Sequence, residues 1–246
     1  MAEEFDSVND EIKNEAKKVW QTKKGKERFL YFADYYKVHF IIAVVAVAFI
    51  ISFINWMANR KDSILQVLVI NGKSVDECDY QKLIDDYAST LTYDEKKQEL
   101  IIDPNYQIDV YANDQYSQTN VQKVFVNVAV GELDVMLCDE DFMRLARAQD
   151  CAYDLSDVLP DDMCKKYEDK LVWYDFPMEE VGIEGYEEEY KQDYEGRYEA
   201  LSLDVSDFYK IKQYDIFPKG SGYVLIMANT ANLERAIGFI EYLDTP

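Results

Sequence analysis

One long apolar segment limits what this chain can fold into more than any other feature. Residues 40–58 read FIIAVVAVAFIISFINWMA, and the first twelve are all apolar. As a helix, this segment rises about 1.5 Å per residue to roughly 28 Å, close to the hydrocarbon thickness of a bilayer. A buried strand is mostly about 4–8 residues long, so a strand does not account for it. We therefore predict a transmembrane helix over 38–58.

The flanks of this segment favour an uncleaved anchor with its N-terminal side in the cytoplasm. Aromatic residues at both ends suit the two membrane interfaces, and no small-x-small cleavage site follows. Basic residues are enriched on the N-terminal side, and such residues stay on the cytoplasmic face. They are Lys17, Lys18, Lys23, Lys24, Lys26, Arg28 and Lys37, against Arg60, Lys61 and Lys73 on the other side.

This orientation predicts three regions. Residues 1–37 form a cytoplasmic juxtamembrane segment, 38–58 cross the lipid bilayer, and 62–246 form an extracytoplasmic domain. The net charge of −22 lies entirely in residues 40–246, because acidic and basic residues balance before them. A surface this acidic argues against nucleic-acid binding, which needs basic charge against phosphate.

The region after the anchor alternates strand-like and helix-like patterns. The segment 64–70 (ILQVLVI) predicts a buried strand, Asn71-Gly72 a turn, and Ser74 with Glu77 a capping box that starts a helix. Two further strands are expected at 98–102 and 106–112, with a turn at 103–105 between them. A helix closed by Gly131, a strand at 133–138 and a helix start at 139–141 follow, and 222–228 and 232–243 close the chain as strand and helix. Alternation of this kind predicts an α/β fold with a mostly parallel sheet and flanking helices.

Two stretches carry a resemblance to a known family. The passage 126–160 (VNVAVGELDVMLCDEDFMRLARAQDCAYDLSDVLP) and the passage 223–243 (YVLIMANTANLERAIGFIEYL) are similar to segments of the extracellular solute-binding proteins of ABC transporters. The resemblance implies a periplasmic-binding-protein-like fold. The chain is short for two lobes, so it implies a reduced, one-lobed relative held at the membrane. It transfers no ligand-contact residue.

The domain lacks the residues that several kinds of active site require. The single histidine, His39, adjoins the anchor, so the domain has no Ser-His-Asp or Cys-His system and no histidine-ligated zinc. The cysteines Cys78, Cys138, Cys151 and Cys164 have no metal-site spacing, and either disulfides or free thiols fit them. Neither a calcium loop nor a phosphate-binding loop is present. We predict no catalytic residue, metal or cofactor.

The segment 176–198 is acidic and rich in tyrosine, with rings at intervals of four that a helix would align on one face. Such rings could stack on sugars or contact a partner protein. The alternative is an amphipathic helix with its tyrosines packed inward. The candidate ligand-binding residues are Tyr186, Tyr190, Tyr194 and Tyr198.

Three functional hypotheses remain. The first is an extracytoplasmic solute-binding-like module that recognises a small solute or a membrane protein partner without catalysis. The second is an interaction subunit that uses the fold as a scaffold in a membrane complex. The third is a hydrolase that uses carboxylates. Fold alone does not choose among them.

Overall fold

The protein is described by a computed structural model at residues 17, 25–112, 114–175, 198–217 and 220–246. It divides into two compact units, one that ends at Arg60 and one that spans Lys61–Pro246. Helix α1, Lys26–Ala58, belongs to the first. Its segment Lys37–Ala58 has a mean hydropathy of 2.5 and buries none of its most apolar residues. Among the described residues, α1 is the one helix long and apolar enough to cross a membrane.

The second unit contains a six-stranded sheet with the order β2-β1-β3-β6-β5-β4. The strands are β1 Asp62–Ile70, β2 Gln98–Tyr106, β3 Val135–Cys138, β4 Leu171–Asp175, β5 Tyr198–Asp204 and β6 Tyr223–Ile226. Helices that flank it are α2 Tyr80–Ala88, α3 Gln115–Ala129, α4 Glu140–Ala148, α5 Leu155–Val158, α6 Asp161–Lys166, α7 Tyr209–Tyr214 and α8 Leu233–Leu243. The α/β class predicted from the sequence is confirmed.

Strand β1 lies inside the sheet and is covered on both faces. Its side chains from Val67 to Ile70 are at most 1% exposed, as expected for an uninterrupted apolar strand. One face carries α2 and α8, where Tyr87 donates a 2.9 Å hydrogen bond to Arg235 O and packs on Phe239. The other face carries α3 and α4.

The sheet is mixed, so the prediction of a mostly parallel sheet is wrong. Strand β1 is parallel to β2 and β3, but the pairings β3–β6, β6–β5 and β5–β4 are all antiparallel. A buried strand shows the same apolar pattern in either direction. The sequence of β6 therefore identifies a strand without giving its orientation.

Two local predictions are also wrong. Ser74 Oγ does donate to Glu77 Oε2 at 3.1 Å, but α2 begins at Tyr80, and its N-cap Asp79 accepts from Lys82 N at 3.0 Å. The expected turn at 103–105 lies within β2, and of the strand expected at 106–112 only Tyr106 is in a strand, as the last residue of β2. Strand β2 is at the sheet edge, where a proline such as Pro104 can be accommodated because one side of the strand forms no ladder.

Candidate functional site

A crevice opens at the carboxyl ends of the three parallel strands, and we call it the β1–β3 crevice. The chain leaves β1 for α2 on one face of the sheet and leaves β3 for α4 on the other. Neighbouring strands whose connections diverge in this way leave a gap between the loops, and α/β proteins bind ligands there. The cavity at this position measures about 630 Å³.

Asn71 organises the floor of the crevice. It follows β1 with a φ of 58°, a left-handed conformation that asparagine tolerates better than most residues. Its Oδ1 accepts from Ile108 N at 2.7 Å, and its Nδ2 donates to Ile108 O at 2.8 Å and to Asp139 Oδ2 at 2.9 Å. One side chain thus ties together the loops that follow β1, β2 and β3.

Gly72 has no side chain, and this lets Val69 and Tyr80 pack close to its backbone. A Cβ at this position would lie 2.6 Å from Val69 Cγ1 and 2.9 Å from Tyr80 Oη. The carbonyl of Gly72 accepts from Gln107 Nε2 at 2.7 Å, and Lys73 N donates to Ile216 O at 2.7 Å. The loop after β1 is therefore held by the Gln107 side chain on one side and by a backbone contact to the segment before β6 on the other.

Carboxylates already occupy the positions that an anion would take at the helix N-termini beside the crevice. Asp139 caps α4 by accepting from Phe142 N at 3.0 Å. Asp114 caps α3 by accepting from Tyr116 N and Ser117 N, both at 2.9 Å, and the Ser117 amide lowers the pKa of Asp114. Free N–H groups at such termini attract anions. Here the protein's own carboxylates use them.

The lining of the crevice is polar and acidic. Asp109, Asp139 and Asp141 contribute carboxylates, Ser117 and Ser221 hydroxyls, and Phe217 an apolar wall. None of the described side chains that line it is basic. An anionic ligand would therefore be repelled, whereas a cation or a neutral hydrogen-bond donor would find acceptors.

Tyr111 adds a ring and a hydroxyl at the mouth of the crevice. Its side chain is 57% exposed, and its hydroxyl donates to Asp141 Oδ1 at 3.4 Å. Desolvation, followed by the charge of Asp141, raises the pKa of Tyr111, so the phenol stays protonated at neutral pH. A protonated phenol beside carboxylates can stack on a sugar ring or contact an ammonium group.

The cysteines do not form a nucleophilic site. All four are free thiols, with Cys78 and Cys138 in core clusters on opposite faces of the sheet. Burial raises the pKa of every one of them, to about 12 for Cys151. The thiolate is the reactive form, so a raised pKa disfavours it near neutral pH.

Of the four predicted ligand-binding tyrosines, the structure describes Tyr198, which does not line the crevice. Tyr186, Tyr190 and Tyr194 lie outside the described residues. Tyr198 begins strand β5 instead of continuing a helix, and its ring stacks on Trp173 at a centroid distance of 5.0 Å. Since β5 runs in the same direction as β3, Tyr198 lies at the amino end of its strand, whereas the crevice lies at the carboxyl ends.

The crevice residues were visible in the sequence, but only with other roles. The sequence predicts Asn71-Gly72 as a turn and 139–141 as a helix start. These residues all follow predicted strands directly. Because parallel strands end at the same sheet edge, this shared position is the sequence feature that could have predicted that they lie together.

No cluster of three or more metal-ligating side chains occurs in the part of the chain that the structure describes. Comparison of the chain with protein-family models, curated proteins and solved structures gave no match.

Proposed function

We propose that the protein is a membrane-anchored binding protein whose outer domain captures a small, neutral or cationic polar solute in the β1–β3 crevice, without catalysis. The observation that carries this proposal is the acidic crevice itself. It lies where α/β folds bind ligands, it holds about 630 Å³, and no described basic side chain lines it. The unreactive thiols and the absence of histidine from 61–246 support recognition over nucleophilic catalysis.

The anchor in this proposal is the apolar part of α1. Lys37–Ala58 has the length and composition of a span, and the excess of lysine and arginine before it favours a cytoplasmic N-terminus. The acidic domain would then face outward. Its single described sheet supports the suggested relationship to one lobe of a solute-binding protein.

The binding test uses the full chain in detergent micelles and a thermal-shift assay. We expect a saturable rise in melting temperature with neutral sugars or with cationic amino acids and polyamines, and none with dicarboxylates. A ligand at about 100 times its Kd stabilises the native state by about 2.7 kcal/mol. The variant Asp141→Asn should lose the response, because it removes a carboxylate from the crevice. Asp157→Asn, an exposed site elsewhere, should keep it.

Other outcomes would replace this proposal. Stabilisation by dicarboxylates alone would contradict the proposed preference of the acidic crevice for neutral or cationic ligands. No change in melting temperature with any class of ligand, together with one membrane protein recovered by crosslinking, would favour the hypothesis of an interaction subunit. Turnover of a glycan would favour the carboxylate hydrolase.

The orientation is tested separately. With an epitope tag at the C-terminus, protease added to intact spheroplasts should remove the tag. Protection of the tag until the cells are lysed would place the domain inside and end the proposal of an extracytoplasmic function.

A further inference from the structure

A second groove lies between α2 and the edge strand β2, and we call it the α2–β2 groove. It encloses about 540 Å³ and shares no lining residue with the β1–β3 crevice. Ile84 of α2 lines it together with Leu100 and Ile102 of β2. Ile84 is buried, and Leu100 and Ile102 pack against the core cluster that contains Leu83 and Tyr87 of α2. Val75, at 58% exposed, extends this apolar lining to the surface.

Strand β2 has a free edge beside this groove. It ends the sheet order, and among the described residues only β1 pairs with it. Such an edge offers a row of unpaired N–H and C=O groups to another strand. Natural edges are commonly protected by lysine or proline within the strand. Strand β2 carries Pro104 near its carboxyl end, so the part open to another strand is 98–103 (QELIID), which contains neither proline nor lysine.

The rim of the groove carries one sign of charge. Asp76, Glu77 and Asp79 are exposed along it, and the described residues that line it include no basic side chain. Lys73, which precedes these acids, forms an ion pair with Asp215. The rim therefore complements a basic partner and repels an acidic one.

From these features we propose that the α2–β2 groove binds an extended, basic segment of a partner protein, which adds to the sheet as a strand beside β2. Backbone hydrogen bonds along the edge would supply affinity, and alternate side chains would supply specificity. Apolar side chains of the segment would contact Leu100 and Ile102, and lysine or arginine would reach Asp76 and Glu77. The preferred sequence thus alternates apolar and basic residues.

The test uses the full chain in nonionic detergent and a fluorescent, N-acetylated peptide of alternating valine and lysine, about six residues long as in a typical strand. We expect saturable binding by anisotropy, with slowed amide exchange at 98–103. A valine–glutamate peptide should not bind. A valine–lysine peptide methylated at alternate backbone nitrogens should not bind either, because it keeps the charge but loses the strand donors.

Paired variants distinguish peptide binding in the groove from nonspecific electrostatic attraction of the peptide to an acidic protein. The double substitution Asp76→Lys/Glu77→Lys should weaken binding about tenfold or more, since it turns attraction into repulsion. The control Glu168→Lys/Asp169→Lys changes the total charge equally at an exposed site outside the groove and should bind normally. Asp141→Asn should also bind normally, so failure of the crevice proposal would not affect this result.

Three results of the peptide and variant measurements would overturn the proposal, and one of the exchange measurement. They are the absence of valine–lysine peptide binding, equal binding of the methylated peptide, and equal weakening by both double variants. Binding without slowed exchange at 98–103 would likewise contradict strand addition.

Discussion

At the scale of single residues, the turn Asn71-Gly72 fixes the crevice in two different ways. Asn71 adopts a left-handed conformation, and its side-chain amide forms hydrogen bonds with Ile108 and Asp139. Gly72 contributes by lacking a side chain, because Val69 and Tyr80 occupy the space that a Cβ would need. Other turn-forming residues could therefore not replace both of them without losing the Asn71 hydrogen bonds or creating a steric overlap at position 72.

Replacing Gly72 with alanine should destabilise the unit Lys61–Pro246. The new methyl group would overlap Val69 Cγ1 at 2.6 Å, and Val69 is fully buried and cannot move aside. Overpacking of this kind costs about 1–3 kcal/mol. Urea denaturation followed by fluorescence would measure the change. A variant within about 0.5 kcal/mol of the parent would show that the turn tolerates the methyl group.

A second residue-scale prediction concerns alkaline pH. Burial raises the pKa of Tyr87 to about 12, whereas a tyrosine in the unfolded chain titrates near 10. The folded state keeps this proton longer, so stability is complete below about pH 10 and falls as the pH rises toward 12. A shift of this size corresponds to about 2–3 kcal/mol.

The variant Tyr87→Phe should show a shallower fall across this range. It loses the hydrogen bond to Arg235 O, worth about 1 kcal/mol at neutral pH. Measurements of unfolding free energy at pH 8, 10 and 11 for both proteins would isolate the titration. Parallel pH profiles would show that other groups cause the alkaline loss.

At the scale of elements, the sequence predicted best those segments whose pattern is set by burial. Strand β1 was predicted at 64–70 because its apolar run is covered on both faces. Helix α8 was predicted because Ile240 and its neighbours at helical spacing are buried. The start of α4 was predicted because an aspartate cap followed by acidic residues is chemically distinctive.

Other elements depend on tertiary packing, which cannot be read from a local sequence pattern. Ser74 and Glu77 have capping-box spacing, but the helix starts where Tyr80 can be buried. Asp103-Pro104-Asn105 has turn chemistry, but the edge position of β2 accommodates it in a strand. The crevice depends on contacts such as Asn71–Ile108 and Asn71–Asp139, which join residues 37 and 68 positions apart, so its residues could be identified only one by one.

Helix α1 gives a prediction at the same scale. Val47 lies near the middle of Lys37–Ala58 and is 55% exposed in the protein alone. If lipid surrounds it, Val47→Asp adds about 2.5–3.5 kcal/mol to the cost of insertion. We expect the variant to be released from membranes by alkaline carbonate, in contrast to the parent.

The matched control is Val126→Asp. Val126 is also a helical valine, 58% exposed, but it lies on α3 of the second unit. Its substitution should leave carbonate resistance unchanged. If both variants stayed in the membrane, α1 would not be the anchor.

At the scale of the whole molecule, the uneven distribution of charge determines which partners the unit Lys61–Pro246 favours. The net charge of −22 lies in residues 40–246, and both the β1–β3 crevice and the α2–β2 groove are lined by carboxylates without a described basic side chain. The two proposed sites therefore share a preference for positive or neutral ligands, although they differ in size of ligand and in mode of binding.

The same charge should make the stability of the protein depend on salt. Repulsion among excess carboxylates destabilises a compact state, and raising the ionic strength from about 10 to 150 mM shortens the Debye length from about 30 to 8 Å. Salt also weakens exposed ion pairs such as Lys166–Asp244, but each of these contributes about 0–1 kcal/mol. Repulsion should dominate in a chain with nearly twice as many acidic as basic residues.

We therefore expect sodium chloride to raise the unfolding free energy by about 1 kcal/mol over this range, or roughly 2–4 °C in melting temperature for a domain of this size. Calorimetry of the full chain in nonionic detergent would measure it. The variant Glu168→Lys/Asp169→Lys reverses two exposed acidic charges and should show a smaller salt response than the parent. Stability that stays constant or falls with salt would mean that ion pairing outweighs repulsion, and the acidic surface would then be locally balanced instead of open to cationic partners.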